Sequence, residues 1–159
     1  MGEKNLRQVD DKHPHCYMMD GKLALPYQYF AGRTGSRFII SLRDKKKILG
    51  VKCGKCGKVF VPPRQTCERC FEDLSDSWVE LSDNGEVTNF TVVRYNDGHL
   101  PRKAPYILAL IRLEGADTPF AHILDGVEPD DMKTGMKVMA VFAEETTNTI
   151  LDIDHFEPA

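Results

Sequence analysis

Cys53, Cys56, Cys67 and Cys70, near the middle of the chain, are the residues best spaced to do chemistry. They form two C-x2-C pairs with ten residues between them, the spacing of a tetrathiolate zinc ribbon. A two-residue gap lets one tight turn aim both sulfurs at the same ion. Gly54 and Gly57 supply the permissive φ values such a turn needs. Val59-Phe60-Val61 and then Pro62-Pro63 suit a short strand and a stiff return that brings the second pair back. Four thiolates around Zn²⁺ leave no position for water, so the expected role of the metal is structural. Iron in a rubredoxin-like site is the alternative. Two disulfides would need an oxidising compartment, and a redox C-x-x-C comes singly in a βαβ setting. Lys52, Lys55, Lys58, Arg64 and Arg69 surround the cysteines. They are expected to offset the roughly two net negative charges of a zinc tetrathiolate.

A second candidate site is a run of cations. Arg33, Arg37, Arg43, Lys45, Lys46, Lys47 and Arg64 form a basic patch fit to attract phosphate or to dock on an acidic surface. The net charge of −3 hides a division that this patch dominates. Residues 1–77 carry fifteen Lys and Arg against nine Asp and Glu, whereas residues 78–159 carry six against fifteen. Catalysis has no comparable support. His99, His122 and His155 are scattered, each read as a surface or packing residue, and no motif activates a serine or cysteine nearby. His13, His15 and Cys16 read as chance neighbours in a tail. No catalytic residue is assigned.

The elements that must position these residues follow from the pattern of the chain. With 42% hydrophobic and 28% charged residues, the composition is that of a soluble globular protein. No apolar run reaches the roughly 18 residues of a membrane helix, and the N-terminus is polar, so the expected location is cytoplasmic. Residues 1–47 are expected to form an arm, broken by Pro14 and Pro26, and then a short amphipathic helix over about 36–46 with Ser36 or Thr34 as N-cap. Residues 48–77 hold the zinc ribbon. Residues 78–159 then show strand signals at 78–81, 86–95, 105–113, 118–124, 137–142 and 149–153, with a helical turn at 128–132 ended by Gly135. The fold class expected is mainly β: an arm and helix, a rubredoxin-like ribbon, and a C-terminal OB-fold barrel. An OB-fold raises nucleic acid as a ligand, which makes a nucleic-acid-binding module the alternative function. The acidic balance of the barrel half argues against it.

Several motifs in fixed order carry a resemblance. Cys53 to Gly57, Val61-Pro62-Pro63-Arg64, Cys67 to Cys70, Trp78 to Ser82, Gly85 to Val93, Ala104 to Ile111 and Gly135 to Val138 resemble zinc-ribbon/OB-fold proteins associated with acyl-CoA metabolism, long known as a domain of unknown function. The resemblance covers about residues 33–157. It implies an accessory subunit that stabilises a thiolase-like or acyl-CoA hydratase enzyme and assists acyl-CoA binding or transfer, with the four cysteines as zinc ligands. Within the family, the segment from Gly35 to Gly50 resembles accessory subunits of thiolases acting on bulky or aromatic acyl-CoAs, such as that of the benzylsuccinate pathway. A CoA thioester is thereby a candidate shared ligand, its phosphates facing the basic patch.

Overall fold

The computed structural model describes residues 25, 27–98 and 100–159, and the backbone of residues 7–8 and 17–18. His13, His15, Cys16, Pro14, Pro26 and His99 lie outside the described residues. The chain divides into two compact units, Met1–Phe30 and Ala31–Ala159. In the first, β1 (Arg7–Gln8) pairs antiparallel with β2 (Tyr17–Met18). The side chains of Leu25, Tyr27, Tyr29 and Phe30 are all exposed.

The second unit begins with α1, Gly32–Lys45, which buries Phe38, Ser41 and Leu42 along one face. The helix starts a turn earlier than its polar residues predict, and neither Thr34 nor Ser36 caps it. Its start is set instead by Gly32 at φ +73°, a left-handed turn that a glycine adopts without strain. At the other end Lys46 is left-handed, and the N–H groups of Lys46 and Lys47 return to the carbonyls of Leu42 and Ser41 at 3.2 and 3.3 Å.

A three-stranded antiparallel sheet follows: β3 (Leu49–Lys52) lies between β4 (Val59–Phe60) and β5 (Trp78–Glu80). Gly50 has to be small here, because a Cβ would stand 2.9 Å from the Phe60 carbonyl oxygen. Val51, Phe60 and Leu74, with Cys53 and Cys67, make a small core under the ribbon, and Trp78 packs against it.

Five strands then close into a barrel: β6 (Asn84–Val93), β7 (Tyr106–Leu113), β8 (Phe120–Leu124), β9 (Lys137–Phe142) and β10 (Ile153–Pro158). Around the barrel the order is β10-β8-β7-β6-β9, and β9 pairs with β10 to complete the ring. The short helical turn Pro129–Asp131 lies between β8 and β9, the insertion expected of an OB-fold. Alternate residues point inward, among them Ile107, Ala109, Ile111 and Leu113 of β7. The same core takes in Phe38, Leu42, Ile48, Val59 and Val61, so helix, ribbon edge and barrel share one apolar interior.

The last strand differs from expectation. Ile150–Asp152 is a 3-10 turn, and the strand lies beyond it at Ile153–Pro158. Local side-chain bonds outcompete extension there: Thr149 Oγ1 accepts from the Leu151 N–H at 3.2 Å, and Asp152 Oδ1 accepts from the Thr147 N–H at 2.6 Å. No helix among the described residues is long and apolar enough to cross a membrane.

Candidate metal centre and surrounding surfaces

Two nearly equivalent turns bring the cysteines together. In the first, the Cys53 N–H donates to the Lys58 carbonyl and the Gly57 N–H to the Cys53 carbonyl, both at 2.9 Å. In the second, the Cys67 N–H donates to the Glu72 carbonyl and the Phe71 N–H to the Cys67 carbonyl, both at 3.0 Å. The four sulfurs lie within 4.8 Å of one another, with Cys56 Sγ and Cys67 Sγ 3.8 Å apart. A disulfide would need about 2.05 Å. A tetrahedron with Zn–S bonds of about 2.3 Å has edges of about 3.8 Å, so the donor set fits Zn²⁺. Cys53 and Cys67 are buried, Cys56 and Cys70 partly so, and the Cys70 N–H points at the Cys67 sulfur at 3.4 Å.

As thiols, Cys67 and Cys70 hold their protons unequally. Burial resists ionisation of Cys67, but N–H groups of Cys70 and Arg69 and the neighbouring thiols overcome it and lower the pKa to about 7. Burial and the adjoining cysteines push Cys70 up to about 12. A dication at the centre is what lets all four ionise together.

The cations near the cluster divide into two groups. Lys58 and Arg64 both bind Glu68, at 2.6 and 2.7 Å, and both lie over the Phe60 ring. Lys52, Lys55 and Arg69 have no ion pair among the described residues. Sequence reasoning missed Glu72, whose carboxylate accepts the Lys55 N–H at 3.0 Å and lies 3.3 Å from Cys53 Sγ.

The basic patch is only partly available. Six of its members sit on α1 or just past it, and Arg64 sits on the ribbon. The Arg37 guanidinium stacks 4.4 Å over Trp78. Arg43 binds Asp44 and reaches Asn148 Oδ1 at 3.0 Å, and Lys47 pairs with Glu80 at 2.8 Å. Arg33, Lys45 and Lys46 have no ion pair among the described residues.

A cavity of about 360 Å³ opens at one end of the barrel beside Arg102, Lys103, Tyr106 and Asp125. Arg102 bridges Asp125 and Asp154 at 2.7 and 2.9 Å, and His155 Nδ1 lies 2.7 Å from Asp154. His122 stands inside the barrel in a three-ring cluster with Phe120 and Phe156, its Nε2 3.2 Å from the Ile150 carbonyl oxygen.

Comparison with known proteins agrees with this geometry. Residues 42–75 match the family model of the ChsH2 rubredoxin-like zinc ribbon domain, and residues 78–143 that of the ChsH2 C-terminal OB-fold domain. A DUF35 domain-containing scaffold protein of Methanocaldococcus jannaschii is 33% identical over 101 residues, covering 64% of this chain and 71% of that protein. Its counterpart in Pyrococcus furiosus is 33% identical over 106 residues, covering 67% and 76%. Among solved structures, a DUF35 protein of unknown function from Sulfolobus solfataricus aligns with a TM-score of 0.57 at 32% identity, covering 69% of this chain and 78% of that one. The Ltp2-ChsH2(DUF35) aldolase shares the fold at a TM-score of 0.61 and 23% identity, covering 77% and 92%. With its ribbon, its barrel and these relatives in agreement, the chain belongs to the DUF35 family of zinc-ribbon/OB-fold scaffold proteins.

Proposed function

We propose that this chain is a non-catalytic accessory subunit of a thiolase-like acyl-CoA enzyme complex. It stabilises the catalytic subunit and assists acyl-CoA binding or transfer, in a pathway that degrades aromatic acyl-CoAs. The observation that carries the reading is the run Leu25, Tyr27, Tyr29 and Phe30, whose side chains are 70–85% exposed. Large apolar side chains left in water over so short a stretch mark a surface that another protein covers. The relatives named as scaffold proteins, and the aldolase whose name joins Ltp2 to a DUF35 protein, are consistent with that role.

In this reading the metal holds the ribbon in shape. Cys53, Cys56, Cys67 and Cys70 would ligate Zn²⁺, which supplies rigidity and no reacting position. Coenzyme A would bring phosphates to cations that have no carboxylate partner among the described residues: Arg33, Lys45 and Lys46, and Lys103 beside the barrel cavity.

Co-expression with a thiolase-like subunit, size analysis and an acyl-CoA thiolysis assay test this. The two chains should co-purify in a fixed ratio, and the isolated chain should show no turnover. Thioester cleavage by the purified chain alone overturns the proposal, and so does salt-sensitive retention of DNA or RNA with no effect on a thiolase-like enzyme.

A further inference from the structure

The two cysteine turns are alike in their backbone hydrogen bonds and place different residues at the left-handed position. Gly57 and Phe71 each follow the second cysteine of a pair, and each adopts a left-handed φ, +75° and +55°. Glycine takes that conformation freely, whereas a residue with a Cβ is strained in it. The phenylalanine does not compensate by packing, since its side chain is 83% exposed. Its platform is held firmly. The Phe71 N–H is bonded to Cys67, the next residue's carbonyl accepts the Cys67 N–H, and the Glu72 carboxylate ties this turn to Lys55 of the first one. Arg69 on this turn and Lys55 on the first, which Glu72 ties to it, are exposed and have no ion pair among the described residues, while Lys58 and Arg64 share Glu68.

We propose that Phe71 is a docking anchor that inserts into an apolar, acid-rimmed socket on the catalytic partner, where Lys55 and Arg69 meet the socket's carboxylates. The inference rests on the accessory-subunit reading and names the part of this chain that grips. An aromatic side chain on a rigid turn has little freedom left to lose when buried, which is the character of an interface hot spot. Unpaired flanking cations select an acidic rim and repel a basic one. A single-stranded nucleic acid would also offer rings to stack on, but the acidic barrel beside the ribbon opposes a polyanion.

The test compares the unsubstituted chain with Phe71→Gly and with Lys55→Glu/Arg69→Glu, each loaded with zinc and titrated with the co-produced thiolase-like subunit. Phe71→Gly should keep one zinc per chain, melt at or above the unsubstituted temperature, and bind the partner at least tenfold more weakly. The double charge reversal should weaken binding comparably at low salt and less at high salt. Unchanged affinity in Phe71→Gly, with the unsubstituted complex intact, overturns the anchor and leaves the accessory role standing. Absence of any complex with the unsubstituted chain removes both. A Phe71→Gly protein that melts well below the parent assigns the ring to folding and overturns the anchor. Phe71-dependent binding of a labelled oligothymidine assigns it to nucleic acid, with the same consequence.

Discussion

Val59 and Asp117 hold each other by two hydrogen bonds across 58 residues of chain: the Val59 N–H donates to Asp117 Oδ2 at 2.7 Å, and the Asp117 N–H returns to the Val59 carbonyl at 2.9 Å. Two residues beyond Val59 and one beyond Asp117, Thr118 Oγ1 accepts from the Val61 N–H at 2.8 Å and donates to the Val61 carbonyl at 3.0 Å. The ribbon is thus fastened to the barrel by side chains that imitate a strand. Asp117→Ala leaves the Val59 N–H without its acceptor, and a loss of about 1–3 kcal/mol is expected in denaturant unfolding. Asp117→Asn keeps an acceptor and should lose less. Equal stability of Asp117→Ala and the parent would show that the clasp contributes nothing.

Because Val59 and Val61, at the edge of the ribbon, are part of the barrel's interior, the metal's influence should reach past the ribbon. Elemental analysis should find one zinc per chain, and Cys53→Ser or Cys67→Ser should abolish it. The small core of Val51, Phe60 and Leu74 then loses its staple. The melting of barrel strands, followed by amide exchange, should shift down as well. Acidification should release the ion, since protons compete with it for the four sulfurs. Purified protein with neither zinc nor iron would refute the metal assignment.

What the sequence could and could not announce follows from how local each cause is. The cysteine pairs, Gly57 in its turn and the alternation of β6 and β7 are written in neighbouring residues, so they were legible. The fastening of Val59 by Asp117 and the approach of Glu72 to Cys53 depend on residues far apart in the chain, and nothing near either one signals them. The start of α1 was misread because Gly32 sets it by backbone conformation, with no capping side chain to advertise it. In β10 the pairing register shifts between Ile153 and His155. Ile153 and Phe156 both face inward three residues apart, which breaks the period-two signal that would have marked the strand.

Gly50 makes a sharp prediction about packing. A methyl group there would meet the Phe60 carbonyl oxygen at 2.9 Å and Leu81 Cδ1 at 3.1 Å. The backbone oxygen cannot move without breaking the pairing of β3 with β4, so Gly50→Ala should cost about 1–3 kcal/mol. Gly98→Ala, in open space on a loop, is the matched control and should be near neutral. Equal unfolding midpoints for the two would contradict the observed register.

Arg102 should shape stability in acid. Asp125 is held below the usual carboxylate range by the Gly126 N–H and then by Arg102, and Asp154 by His155 and then by Arg102. A carboxyl whose folded pKa is lowered contributes stability above its unfolded value near 3.8, and that stability is lost as pH falls through the lower folded value. Both carboxylates are substantially exposed, so solvent screening keeps the effect small, about 1 kcal/mol or less. Arg102→Leu should lower stability slightly at pH 7 and flatten its decline between about pH 4 and 2. An unaltered acid limb in the unfolding profile would detach Arg102 from that decline.

His122 should act at a higher pH and for a different reason. Its ring is buried against two phenylalanines, Nε2 meets a backbone carbonyl, and Nδ1 has no hydrogen-bond partner among the described residues. Burial therefore pushes its pKa below 6.5, with the carbonyls of Ile150 and Ile123 pulling weakly the other way. The unfolded chain takes up a proton near pH 6.5 before the folded one can, so stability falls as pH drops below that value and levels off only under the folded pKa. His122→Leu keeps an apolar filling, removes the orphaned nitrogen and deletes this proton linkage. At pH 8 the substitution should stay within about 1.5 kcal/mol of the parent, because the lost bond to Ile150 and the relieved Nδ1 oppose each other. Between pH 8 and pH 5 it should gain stability relative to the parent. Parallel stability curves for parent and variant between pH 8 and 5 would show that the imidazole takes up its proton as readily inside the barrel as outside it.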